Sequence, residues 1–136
     1  MAIVIDSSIA TSWGLPGENS PAAGRALSIA ETEEILVPAL FWQEVRNVFL
    51  TSERRRRVTE AQTSAGLRLV ANMPTRQDGG GSDFDVLGYA RRHALSAYDA
   101  CYLELAIRAD ATFATLDKRL ARAALTENLT VVCDLS

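Results

Sequence analysis

The stretch MAIVIDSSIA, residues 1–10, decides the fold. Ile3, Val4 and Ile5 form an unbroken branched apolar run, the pattern of a strand buried on both faces. At Asp6-Ser7-Ser8 the chemistry reverses. Asp and Ser suit turns and helix starts. A carboxylate at the end of a buried strand also stands where open α/β sheets meet their ligands. The same kind of strand recurs outward along the chain. EILVP (34–38) and LTVVCDL (129–135) are short and apolar, and ATFATLD (111–117) again ends on an acid.

Helical patterns separate these strands. Segment 8–21 begins with Ser8 as a possible cap and is broken by Gly14, Pro16, Gly17 and Pro21. Pro21 then opens a helix running to about Ala30. Residues 39–57 are strongly amphipathic, and 58–73 follow with Thr59 as a candidate cap. Ser82-x-x-Asp85 is a capping-box pattern ahead of a helix over 82–95. Residues 96–110 form a nearly all-apolar helix, and 118–127 a last one. PTRQDGGGSDFD (74–85) reads as a Gly-rich loop or strand–loop. Short apolar strands alternating with helices predict an α/β fold, a parallel sheet covered on both faces, in a single domain over 1–136.

Composition excludes several classes. No apolar run approaches the ~20 residues of a membrane span. The start lacks a basic n-region and a cleavage site, so the cytoplasm is the expected compartment. Cys101 and Cys133 lack metal-ligand spacing and are expected to be buried free thiols. One histidine, His93, permits no His-rich zinc site, and a helix-end role is expected of it. Net charge is −3, which gives no hint of nucleic acid, but Arg54-Arg55-Arg56-Arg57 is a dense basic run. It suits a solvated helix end or a phosphate contact. For the aromatics of LFWQEV, with Trp13 and Trp42, core packing is the expected role and an exposed partner groove the alternative.

Four acids resist a bland reading. At ~100° per residue, Glu44 falls inside the apolar stripe of Leu40, Phe41, Val45, Val48 and Phe49. A buried carboxylate needs a partner, a proton or a metal. Asp99 shares a face with Leu95, Tyr102 and Leu103, although Ser96-x-x-Asp99 also fits a capping box. Glu104 and Arg108, four apart, read as an exposed pair on another face. Asp117 closes its strand as Asp6 closes the first, with a helix cap as the alternative. Converged carboxylates repel one another unless a cation sits among them, and oxygen-only ligands select hard ions such as Mg²⁺ or Mn²⁺. Such an ion activates water toward phosphorus, so phosphodiester hydrolysis is the chemistry indicated.

Asp6-Ser7-Ser8, Glu44-x-x-Asn47, Ser96-Ala97-Tyr98-Asp99-Ala100 with Tyr102-Leu103, and Thr115-x-Asp117 stand in an order and spacing that resemble the PIN-domain ribonucleases. Within them the chain is most similar to the VapC toxins of bacterial toxin–antitoxin pairs. The resemblance spans essentially the whole chain and implies a PIN fold with about five parallel strands. It also implies a Mg²⁺- or Mn²⁺-dependent endoribonuclease with Asp6, Glu44, Asp99 and Asp117 as its acidic quartet. Asp6, Asp99 and Asp117 would hold the metal, supported by Ser7, Asn47 and Thr115. A homodimer silenced by a VapB-type antitoxin is the implied assembly. RNA backbone contacts are expected from the basic rim, among Arg54, Arg55, Lys118 and Arg119. The rivals are a PIN scaffold without catalysis and a related metal nuclease acting on DNA. A phosphoacceptor receiver domain fits less well, because the first strand ends in one acid and no lysine precedes Lys118. The 78–83 segment has acids and glycines but not the order of an EF-hand loop.

Overall fold

The computed structural model describes residues 1–18 and 20–135. Its strands are β1 (Ala2–Ile5), β2 (Glu34–Val37), β3 (Thr75–Gln77), β4 (Thr112–Ala114) and β5 (Val131–Val132). Its helices are α1 (Ser7–Gly14), α2 (Pro21–Ala30), α3 (Phe41–Arg54), α4 (Glu60–Ala71), α5 (Asp83–His93), α6 (Ala97–Arg108) and α7 (Lys118–Thr126). The strands form one sheet in the order β3-β2-β1-β4-β5, and every neighbouring pair is parallel. Ile3, Val4 and Ile5 are fully buried at its centre, as the opening stretch predicts.

Local chemistry sets most element ends. Ser20 and Ser82 cap α2 and α5 through their side chains, and Thr59 with Gln62 builds a reciprocal capping box on α4. The α1 cap differs from expectation. Asp6, not Ser8, accepts the N–H of Ile9, and Ser8 lies inside the first turn. Asp6 is the single residue between β1 and α1, so the acid that ends the strand is also the cap. Thr75–Gln77 makes the 74–85 segment the strand–loop of the two readings, pairing with β2 as the sheet edge. Helices α1 and α4 meet at Gly14 and Gly66, beneath the Phe49 ring. A Cβ at Gly66 would lie 2.6 Å from that ring and 2.7 Å from the Gly14 carbonyl oxygen, so the approach requires glycine.

One surface expectation holds and one is corrected. The aromatics near residue 42 take core packing and are not exposed: Phe41 is fully buried, and the half-buried Trp42 packs edge-on against it at 5.0 Å. Trp13 packs on the core and donates its indole N–H to the Ala23 carbonyl at 2.8 Å. The pair Glu104–Arg108 is not an exposed one either. Glu104 is 4% exposed, because the 79–81 glycine run folds over it and a Cβ at Gly81 would collide with its carboxylate. Arg108 reaches Glu104 at 2.8 Å and Asp78 at 2.6 Å, tying the β3–α5 connection to α6. These two carboxylates hold its guanidinium protonated well above the ordinary arginine value. Cys101 and Cys133 are free and half-buried. His93 ends α5 as expected and meets Glu127 at 2.6 Å.

Candidate active site

The sheet order creates a crevice. Connections leave β1 toward β2 on one side, and the chain later returns to β4 on the other. The carboxyl ends of β1 and β4 therefore form the point where an open α/β sheet accepts a ligand. Asp6 leaves β1 at this point, its N–H donating to the Ala114 carbonyl at 3.3 Å. Thr115 and Asp117 follow β4.

Asp6 is buried and held by hydroxyls. Its Oδ1 accepts from Ser8 Oγ at 2.5 Å and from the Ile9 N–H at 3.2 Å. Its Oδ2 accepts from Thr115 Oγ1 at 2.5 Å. Ser8 Oγ in turn accepts the Leu116 N–H at 2.9 Å, and Thr115 Oγ1 the Asp117 N–H at 3.0 Å. Two hydroxyls thus clamp the β4–α7 turn onto the end of β1. Burial pushes the Asp6 carboxyl up to about 6; the three donors oppose the shift, and the charge of Asp117 adds to it.

Glu44 comes from the first turn of α3 and is half-buried, as its place in the apolar stripe predicts. Its Oε1 accepts from the Tyr102 hydroxyl at 2.6 Å. Burial raises the Glu44 carboxyl, the Tyr102 donor opposes the rise, and the charge of Asp99 adds to it. Burial, then the Glu44 carboxylate, push the phenol far above its ordinary value, so Tyr102 stays a donor. Asp99 lies in the first turn of α6, where Ser96 Oγ accepts its N–H at 3.1 Å. Burial and the charge of Asp117 raise its carboxyl, against Ser96 and Arg119. Asp117 is exposed and caps α7, its Oδ1 accepting the N–H groups of Arg119 at 2.9 Å and Leu120 at 3.2 Å.

The four carboxylates, carried by four different elements, therefore share one electrostatic field. Asp117 acts on both Asp6 and Asp99, and Asp99 acts on Glu44. A cation among them would relieve the repulsion. As they stand, no three acidic, His or Cys side chains among the described residues are grouped to hold an ion. Asp6, Glu44 and Asp117 are instead turned to protein donors. Glu44 Oε2 and Asp117 Oδ2 accept from no other described residue, and the potential ligands are all hard oxygens, the chemistry that suits a Mg²⁺-class ion.

The supporting residues divide. Thr115 bridges Asp6 and Asp117. Ser7 and Asn47 line a groove that opens beside the acids. Arg55 lies in that groove, with Arg57, while Arg54 and Lys118 are exposed outside its lining. The Arg119 guanidinium donates to the Ala94 carbonyl. Sequence reading missed the bond from Tyr102 to Glu44, whose partners lie 58 residues apart. It also missed Ser8, Thr11 and Ser12 as a groove wall continuing from Ser7, although their helical spacing next to the first acid is the signal that could have found it.

The sequence model of the PIN domain matches residues 3–125. No curated protein matches the sequence. Among solved structures, PAE2754 from Pyrobaculum aerophilum is similar at a TM-score of 0.74 and 22% identity, over 97% of this chain and 84% of that one. VapBC2 from Rickettsia felis, bound to a DNA fragment from their promoter, aligns at 0.68 and 14% identity, over 99% of this chain and 100% of its own. Mycobacterium tuberculosis VapC20, a toxin that cleaves the sarcin–ricin loop, aligns at 0.64 and 15% identity, over 90% and 95%.

Proposed function

The chain belongs to the PIN-domain family, and from that membership we propose that it is a Mg²⁺- or Mn²⁺-dependent endoribonuclease, the toxin of a VapBC-type pair. One observation carries the reading: carboxylates from β1, α3, α6 and the β4–α7 turn share one field at the ligand-binding end of a parallel sheet. The fold-level likeness to VapC20 and to VapBC2 makes RNA the first substrate, and a VapB-type antitoxin the first partner, to test. In this reading residues 1–136 act as one domain, as a homodimer in the cytoplasm.

Asp6, Asp99 and Asp117 would hold the ion. When bound, it supplies water activation and charge neutralisation at phosphorus. The protein's own contribution is positioning. Thr115 and Ser8 fix Asp6, and Thr115 also fixes the turn that carries Asp117. Tyr102 fixes Glu44 through Oε1, which leaves Oε2 to orient the attacking water. Ser7 and Asn47 offer donors at the rim, and Arg54, Arg55, Lys118 and Arg119 hold phosphates. The expected products are a 5′-phosphate and a 3′-hydroxyl.

The test is cleavage of total RNA by the purified chain with Mg²⁺ or Mn²⁺, against EDTA and an Asp99→Asn variant. Ser96 caps α6 through the Asp99 backbone N–H, so the variant keeps its cap. The expected result is cleavage lost in both controls, by at least ~100-fold for Asp99→Asn. Equal cleavage in every lane would sink the reading.

A further inference from the structure

A groove adjoins the acids through Ser8 and Leu116, although none of the quartet lines it. It has a volume of ≈ 480 Å³ and runs between α1 and α3, from Ser7, Ser8 and Leu116 beside the acids to Arg55 and Arg57 beyond the end of α3. Its lining is rich in hydrogen-bond donors. Ser7, Ser12, Asn47, Thr51, Arg55 and Arg57 all face it, and none donates a side-chain hydrogen bond to another described residue. Neither guanidinium has an ion-pair partner among the described residues. The lining contains a single carboxylate, Glu18, and no aromatic ring.

Such a wall asks for a ligand that is acceptor-rich, anionic and extended. Resting on the nuclease reading above, we propose that this groove holds the sugar–phosphate backbone of single-stranded RNA on one side of the scissile bond, with Arg55 and Arg57 closing on phosphates at its far end. Ser8 joins the two regions physically: its hydroxyl donates to Asp6 while facing the groove. A strand leaving the acids there meets hydroxyl and amide donors first and the two arginines last. Without a ring to stack on, the groove reads backbone and not bases, so affinity here is tolerant of sequence. This separates the basic run by position: Arg55 and Arg57 belong to the groove, and Arg54 does not.

The experiment measures binding of a fluorescein-labelled single-stranded 12-nucleotide RNA by anisotropy in EDTA, across a salt series, alongside cleavage of total RNA with Mn²⁺. Each phosphate contact contributes roughly 0.7 to the slope of log K against log salt for single strands. Arg55→Ala with Arg57→Ala is expected to lower the slope by about 1.4 and to weaken binding at least about tenfold at low salt. Both residues are exposed, so the far-UV spectrum should not change. Glu18→Gln should tighten binding. Arg68→Ala with Arg91→Ala, the same charge change elsewhere, should leave the slope within about 0.3 of the parent. An unchanged slope for the Arg55/Arg57 pair, or no RNA binding by the parent chain, overturns the groove. So does binding of a poly-glutamate peptide through Arg55 and Arg57 when RNA does not use them. Loss of RNA binding in that pair while the parent chain cleaves nothing would overturn the nuclease reading and leave the groove standing. Cleavage by the parent with an unaffected Arg55/Arg57 pair would do the reverse.

Discussion

Asp6 is at once a strand end, a helix cap and a candidate ligand, and these roles conflict. As a cap it has satisfied oxygens; as a buried acid it is pushed up to about 6. The folded chain therefore binds this proton more tightly than the unfolded chain does. Stability from this group is full below about pH 4, falls as pH rises toward 6, and stays low above that. Asp6→Asn keeps a cap and removes the charge. In EDTA at pH 7.5 the variant is expected to gain about 2 kcal/mol in urea unfolding, and at pH 3.5 to match the parent, while losing cleavage. Equal stability at both pH values would contradict the burial argument. Tyr102 makes the second residue-scale case. Tyr102→Phe preserves its buried volume but frees Glu44. The expected effect is a roughly 10-fold to 100-fold fall in kcat with little change in KM, because a hydrogen bond to a charged group contributes about 1.5–3 kcal/mol.

At the scale of elements, the α1–α4 contact is set by two glycines. Gly66→Ala drives a methyl into the Phe49 ring and the Gly14 carbonyl. A loss of about 1–3 kcal/mol is expected. Gly24→Ala, in α2 with nothing within 4 Å of its added Cβ, should instead gain about 0.5–1 kcal/mol. Chemical denaturation of the two variants gives both signs in one experiment. Elements were also where sequence reading succeeded most. The apolar runs at 3–5, 35–37 and 113–114 lie in buried strands, and the caps at Thr59 and Ser82 hold. What it missed depended on distant chain. Glu104 is buried only because the glycine run 79–81 lies over it, and the choice between loop and strand–loop at Thr75–Gln77 is decided only by the edge that β2 offers. The aromatics near residue 42 left a partner groove open beside core packing, because the packing of Phe41 against Trp42 is not a local pattern. Among the site residues, Glu44 was legible because it sits against its local pattern, and Asp6, Asp99 and Asp117, which also fit helix starts, only as a set. The groove was not, because hydroxyls on a helix carry no such contradiction.

For the molecule as a whole, the electrostatic field of the acids predicts cation-linked stability. The carboxyls of Asp6, Glu44 and Asp99 are all raised by burial and by neighbouring charge. Mn²⁺ at 100 times its Kd should stabilise the chain by about 2.7 kcal/mol. Its Tm should rise by several degrees at pH 7.5, and by much less at pH 5, where Asp6 is protonated. Differential scanning fluorimetry with Mn²⁺ and with Asp99→Asn tests this, and a Tm indifferent to Mn²⁺ at pH 7.5 would contradict the proposed ion site. No helix among the described residues is long and apolar enough to cross a membrane.

The dispersal of the carboxylates over β1, α3, α6 and the β4–α7 turn also bears on biosynthesis. The set runs from residue 6 to residue 117 of 136, so no short fragment carries it. In translation the first acid of the proposed set is made early, and the last only more than a hundred residues later. The last acid is also the one whose turn Thr115 and Ser8 clamp to the first strand. On the proposed reading, a nascent chain is therefore inert until Asp117 and its turn have been made.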